Sequence, residues 1–166
     1  MARTARPKAK VVKDYTLHDN DGAPVGLSSI FGEHDILVIL HNMGKDCPNC
    51  ALWGDEFNGM RKHLENQAAF CVVGPDDPKT QKRYVRERGW KTKLYSAHGT
   101  PFIKDLGFEQ DGAPTPGVSV LRKRKDRRIE IVKQIDVTKD GRAPSVLEVF
   151  WMTPGVNVEH LAWGKT

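Results

Sequence analysis

No stretch of this chain approaches the roughly 20 apolar residues that a membrane span requires, and no membrane association is expected. Cysteine is scarce, with three in 166 residues and two of them in one short motif. That is too few for the disulfide framework of a secreted domain, so a reducing, cytoplasmic setting is expected. The N-terminus also lacks the apolar core of a signal peptide, because Met1 to Lys13 is dominated by Arg3, Arg6, Lys8, Lys10 and Lys13. Aromatic residues make up only 8% of the chain, and none interrupts the basic run Arg122 to Arg128. Nucleic-acid binding needs stacking aromatics or a groove-entering element beside such charge, so it is not expected, and a solvated hairpin tip is the default.

What is present suffices for one folded unit. The length suggests a single domain over residues 11–166 behind a disordered basic tail at 1–10, and 39% hydrophobic residues can build a core without metal or disulfide support. The net charge of +5 is unevenly spread. Met1 to Lys13 and Arg122 to Arg128 each carry +5, which leaves −5 on the remainder. The body is thus mildly acidic, with two basic appendages.

The chain is organised around Asp35 to Leu64. Ile36, Leu37, Val38, Ile39 and Leu40 are five consecutive aliphatics, which reads as a strand buried on both faces. After Cys47, Pro48, Asn49 and Cys50, the apolar residues Trp53, Phe57, Met60 and Leu64 recur at steps of four, three and four, one stripe of an α-helix. The two cysteines therefore stand where a central strand hands over to a helix N-terminus. Unpaired N–H groups and a partial positive charge there stabilise a thiolate, which makes Cys47 the candidate nucleophile. Cys50, three residues on, shares its helix face and can attack a mixed disulfide on Cys47. Pro48 fits the first helical turn, where its missing N–H costs nothing. Lys45 can favour the thiolate, whereas Asp46 either caps the helix or opposes it.

Along the rest of the chain, Val11 to Leu17 alternates as a short strand, and Asn20 to Gly22 marks a turn. Leu27, Ile30 and Phe31 suggest a helical piece that starts near Ser28 or Ser29 and closes at Gly32. Gly54 and Gly59 weaken the redox helix by roughly 1 kcal/mol each relative to Ala, and mark close packing or a kink. Phe70 to Val73 is a second buried strand. Asp76 or Asp77 caps a helix with Pro78 in its first turn, stopped by Gly89. Lys93 to Ala97 is a short strand, and Phe102, Ile103 and Leu106 form one helical turn before a loop at Gln110 to Pro116. Val118 to Leu121 and Ile129 to Val132 form a hairpin around the basic segment. Ser145 and Glu148 spell a capping box for a last helix carrying Val146, Leu147, Phe150 and Trp151. This order gives an α/β sandwich, parallel in its first part and antiparallel at the hairpin.

Several of these residues carry a resemblance. A buried strand, Cys-Pro-x-Cys at a helix start, and Thr115 and Pro116 just before a strand resemble the thioredoxin fold. The run Val72, Val73, Gly74, Pro75, Asp76 to Gly89, with Leu94, Tyr95, Ser96 and Phe102 to Gly107, is similar to peroxiredoxin-related proteins. Together with Gly59 to Leu64, which holds His63, and Pro116 to Val120, the motif most resembles an uncharacterised bacterial thioredoxin-like family related to the alkyl hydroperoxide reductase and thiol-specific antioxidant group. The likeness covers most of Tyr15 to Pro154. It implies a three-layer sandwich with a mixed central sheet and flanking helices. It also implies a cis-proline, Pro116, facing the cysteine pair, with Thr115 beside it at the substrate edge. His41 lies six residues before Cys47, where thioredoxins carry a buried acid. An imidazole there would take the Cys50 proton, the plain alternative being a satisfied histidine at a strand end.

The implied activity is thiol-disulfide exchange by Cys47 and Cys50, with Pro48, Trp53, Thr115 and Pro116 meeting the substrate. The alternative is a thiol peroxidase in which Cys47 becomes a sulfenic acid and Cys50 condenses with it. Against it, Gly44 stands where peroxiredoxins place a threonine, and Thr115 and Pro116 stand where their peroxide-polarising arginine would lie. A third reading is a non-enzymatic scaffold holding the pair as a zinc or redox sensor. Cys47, Cys50 and His63 have finger-like spacing, but no further histidine follows at the required interval. Cys71 reads as a small core hydrophobe, and Trp53 as core of its helix stripe or as a partner-holding aromatic. No cofactor or metal is expected. The expected partners are a protein or small-molecule disulfide or thiol, an electron donor that the sequence does not identify, and a second copy of the chain through Phe150, Trp151 and Trp163.

Overall fold

Six consecutive buried residues, Ile36–His41, form the strand on which the molecule is built. The computed structural model describes residues 10–155. In chain order the elements are β1 (Val11–Val12), β2 (Thr16–His18), β3 (Pro24–Gly26), α1 (Leu27–Ile30), β4 (Ile36–His41), α2 (Pro48–Glu65), β5 (Ala69–Gly74) and α3 (Pro78–Arg88). There follow β6 (Leu94–Ser96), α4 (Phe102–Asp105), β7 (Glu109–Gln110), β8 (Ala113–Pro114), β9 (Gly117–Lys123), β10 (Ile129–Asp136), α5 (Val137–Asp140) and α6 (Val146–Met152). The main sheet runs β1-β10-β9-β4-β5-β6-β2-β3, and β7 and β8 pair separately. β4, β5 and β6 are parallel, as their helical crossovers require, while β9 and β10 form an antiparallel hairpin beside β4.

Side chains of β4 alternate between two cores. Ile36, Val38 and Leu40 join Trp53, Phe57 and Leu64 of α2 and Val146, Val149 and Phe150 of α6. Leu37 and Ile39 join Leu27 of α1, Phe31 and Phe102 of α4 on the opposite face. Helices on both faces of a mixed sheet make the three-layer sandwich. Each fully buried aliphatic of β4 stabilises the fold by on the order of 1.5–3 kcal/mol, so the strand that leads to Cys47 is rigidly seated.

Caps bracket the helices. Asp77 accepts the Thr80 N–H at 3.1 Å, Pro78 opens α3, and Gly89 closes it in the left-handed region at φ 66°. At α6, Ser145 accepts the Glu148 N–H while Glu148 accepts the Ser145 N–H, so both arms of the capping box are made.

Three expectations about elements are corrected. Val11 to Leu17 is not one strand, because Val12 pairs with β10 and Leu17 with β3 at the other edge. Met60 lies at the rim of α2, 36% exposed, and leaves Trp53, Phe57 and Leu64 as the packed stripe. The loop from Gln110 to Pro116 contains the small β7–β8 pairing. The basic segment runs from the last residues of β9, Arg122 and Lys123, through the turn to β10, where Arg124 pairs with Glu130 at 2.6 Å and Arg128 with Asp126 at 2.7 Å. Of the residues expected at a dimer interface, Phe150 is buried, Trp151 is 67% exposed, and Trp163 lies outside the described residues, as does 1–9 of the basic tail. No helix among the described residues is long and apolar enough to cross a membrane.

Candidate redox site

The turn between β4 and α2 is held by side chains rather than by secondary structure. Asn42 Oδ1 accepts the Gly44 N–H at 2.7 Å, and Asp76 Oδ2 accepts the Lys45 N–H at 2.7 Å. The Cys47 N–H then closes onto the Gly44 carbonyl at 3.2 Å. Cys47 is the N-cap of α2, with extended backbone and Pro48 as the first helical residue. Its Sγ accepts the Cys50 N–H at 3.1 Å, the role a serine or aspartate oxygen usually fills at this position. The sulfur therefore sits against a free donor at the positive end of an 18-residue helix.

The two sulfurs are unbridged and differ in access. Cys47 is partly exposed, whereas Cys50 is buried one turn beneath. Burial pushes the Cys50 thiol up to about 12, and its hydrogen bond with the Cys47 side chain acts in the same direction, against a backbone hydrogen bond from Met43. Both cysteines open on a cavity of ≈ 190 Å³ walled by Met43, Trp53, Pro116 and Val137, with no charged side chain among its described lining residues.

The expected site residues do not all converge there. Pro116 lies in the cavity wall and its carbonyl accepts the Val137 N–H at 3.0 Å. No peptide bond among the described residues is cis, which corrects the geometry that the resemblance implies for Pro116. Trp53 combines its two readings. It is only 9% exposed, stacks edge-on against Phe57 at 5.6 Å and donates its indole N–H to the Pro144 carbonyl at 3.0 Å, yet one side borders the cavity. Thr115 is turned inward instead. Its backbone N–H bonds to the Phe108 carbonyl at 2.8 Å and its hydroxyl is enclosed without a partner.

His41 requires a correction. Its side chain lies on the α4 face of the sheet, away from α2, stacked on Phe108 at 3.7 Å, with Nε2 paired to Ser119 Oγ at 2.8 Å. Complete burial lowers its pKa to about 3, so it is a neutral core histidine and not the proton acceptor for Cys50. Cys71 shares that far face, fully buried, and burial raises its thiol pKa. His63 lies thirteen residues beyond Cys50 on α2, about 20 Å along the axis. The structure thus brings neither His63 nor Cys71 to the cysteine pair, and no group of three metal-ligating side chains forms among the described residues.

The sequence reading missed Met43 and Val137 as cavity walls. For Val137 a signal was available. Asp136 caps α5 by accepting the N–H groups of Thr138 and Lys139, and Gly141 stops it at φ 71°. Asp followed five residues later by Gly marks a short helix just after the hairpin.

The peroxidoxin BcpB of Mycobacterium tuberculosis superposes with a TM-score of 0.62 at 22% identity over 80% of this chain and 91% of its own. A peroxiredoxin-like protein of Aquifex aeolicus gives 0.66 at 18% identity, over 85% of this chain and 82% of its own. A thiol:disulfide interchange protein of the thioredoxin family from Chlorobium tepidum TLS gives 0.64 at 15% identity, over 92% and 99%. These likenesses establish the thioredoxin-like, peroxiredoxin-related fold. No curated protein matches the chain. A family model described as a bacterial protein of unknown function, DUF899, matches residues 1–127, more than half of the chain, and the protein belongs to that family.

Proposed function

We propose that the protein is a thiol-disulfide oxidoreductase that works through Cys47 and Cys50. The observation that carries this reading is the Cys47 sulfur, partly exposed at the N-cap of α2, accepting the Cys50 N–H with the Cys50 thiol directly beneath it. In the first step Cys47 thiolate attacks one sulfur of a substrate disulfide. That S–S bond breaks, and the departing sulfur leaves as a thiolate that takes up a proton from solvent. In the second step Cys50 gives up its proton and attacks Cys47 Sγ, which closes the internal disulfide and releases the other substrate thiol. Two electrons pass from protein to substrate, and an external dithiol restores the reduced pair.

The high proton affinity of Cys50 suits this order. A resolving thiol that stays protonated does not compete for the substrate. The mostly apolar cavity, with Pro116 and Trp53 in its wall, offers the substrate edge, and Pro48 opens the helix directly after Cys47.

The names of the neighbours favour a second reading, peroxide reduction. BcpB is called a peroxidoxin, and another neighbour is described with alkyl peroxide reduction activity. The cavity on which Cys47 opens has no cationic or hydroxyl side chain among its described lining residues to take up the charge of a cleaving O–O bond. The buried, unpartnered Tyr84 hydroxyl, which lies outside that lining but senses both thiols, is the donor this second reading would need.

The Cys50→Ser variant distinguishes them. Mass spectrometry after exposure to a protein disulfide is expected to find a stable mixed disulfide on Cys47, and none on Cys71. Sulfenic acid at Cys47 with peroxide alone, and no mixed disulfide with a protein disulfide, would replace this reading by the second.

A further inference from the structure

Gly44 to Asp46 carries Cys47 to its place without belonging to a helix or strand, so whatever holds that turn sets where the sulfur points. Asn42 holds it from within. The other restraint comes from across the sheet, from Asp76 at the β5–α3 junction. One carboxylate oxygen of Asp76 accepts the Lys45 N–H at 2.7 Å. The same carboxylate fills the space above Gly44, where a Cβ would meet its two oxygens at 3.2 and 3.4 Å. Gly44 itself stands at φ 111°, a conformation open to glycine and not to other residues. The Gly44 carbonyl then receives the Cys47 N–H. Asp76 is anchored in turn, since its own carbonyl accepts the Ser96 hydroxyl at 2.6 Å. A continuous path of hydrogen bonds thus runs from β6 through Asp76 and Lys45 to the redox turn.

We propose that Asp76 is the positioning residue of the Cys47 nucleophile: its carboxylate pins the Lys45 amide and packs over Gly44, and so aims the sulfur for in-line attack. This inference rests on the exchange reading of Cys47. Disulfide exchange demands near-collinear sulfurs, and small misplacements of a reacting group cost up to about a hundredfold in rate. Alkylation by iodoacetamide, a small and freely oriented reagent, is much less demanding.

The test uses the pre-reduced full chain in single-turnover reaction with an uncharged disulfide, 2-hydroxyethyl disulfide, beside iodoacetamide labelling of Cys47. Asp76→Ala is expected to slow exchange by about tenfold or more while changing alkylation by less than about twofold, and Asp76→Asn, which keeps an acceptor oxygen, to restore most of the exchange rate. Asp76→Ser, whose shorter side chain carries no carboxylate, is expected to slow exchange in the same selective way, and it carries the test if Asp76→Ala does not fold. Faster exchange and faster alkylation in Asp76→Ala would show that the charge matters and the clamp does not, and would overturn the proposal. So would equal losses in the Ala and Asn variants, or an unchanged exchange rate in a folded Asp76→Ala or Asp76→Ser variant. An inactive wild-type chain would instead refute the exchange reading beneath it.

Discussion

The indole of Trp90 occupies the place where a side chain at position 54 would begin, since a Cβ on Gly54 would fall 2.3 Å from two of its ring carbons. The ring is fixed there. Its N–H donates to Asp55 at 2.6 Å, and Arg88 holds Asp55 from the other side. Gly54 is therefore the point at which α3 and its following turn close onto α2. Gly54→Ala is expected to destabilise the protein by about 1–3 kcal/mol through overpacking, although alanine is the better helix former. Urea unfolding checks this, and a gain in stability would contradict the contact.

His41 makes stability depend on pH in a definite direction. The imidazole takes up a proton near 6.5 in the unfolded chain and only near about 3 when folded. Between those values the unfolded state binds more protons. Its contribution to stability is therefore intact above the unfolded value and is lost as the pH falls, by up to about 1.4 kcal/mol per pH unit. His41→Phe removes that titration, so the gap between wild-type and variant unfolding free energies is expected to change between about pH 7 and pH 4. Parallel curves would refute a buried neutral histidine.

The three cysteines are expected to react in a fixed order. Cys47 is partly exposed, Cys50 is buried with its thiol pushed up to about 12, and Cys71 is enclosed behind the sheet. Iodoacetamide at neutral pH should label Cys47 first, Cys50 at least about tenfold more slowly, and Cys71 only on unfolding. Peptide mapping over time reads the order directly.

At the other end of the chain, Ser145→Ala removes one arm of the capping box that starts α6 and is expected to cost about 1 kcal/mol. Leu147, on the same helix and 50% exposed, serves as the control. Its change to Ser should stay within about 0.5 kcal/mol, as measured by the same unfolding assay.

Where the reading from sequence succeeded, the controlling physics was local. Trp53, Phe57 and Leu64 mark the packed stripe of α2, and Asp77, Pro78 and Gly89 bracket α3, because periodicity and caps are set within a few residues. Where it failed, the deciding contact was distant. Val12 and Leu17 both feed the same core cluster, but from opposite edges of the sheet, and alternation along a strand does not name its partners. His41 was misjudged for a related reason. A strand buried on both faces offers no polar side from which to count, so nothing in Ile36 to Leu40 tells which core the next residue enters. The place of Cys47 and Cys50 between a strand end and a helix start was legible because the sequence marks both boundaries plainly.

The proposed function requires that Cys47 and Cys50 pass electrons as a pair. Reduced wild-type protein mixed with a stoichiometric protein disulfide, quenched and mapped by mass spectrometry, tests that most directly. The peptide spanning Cys47 and Cys50 should lose two hydrogens as an equal amount of substrate thiol appears, with Cys71 untouched. Both cysteines remaining as thiols while the substrate stays oxidised would contradict it.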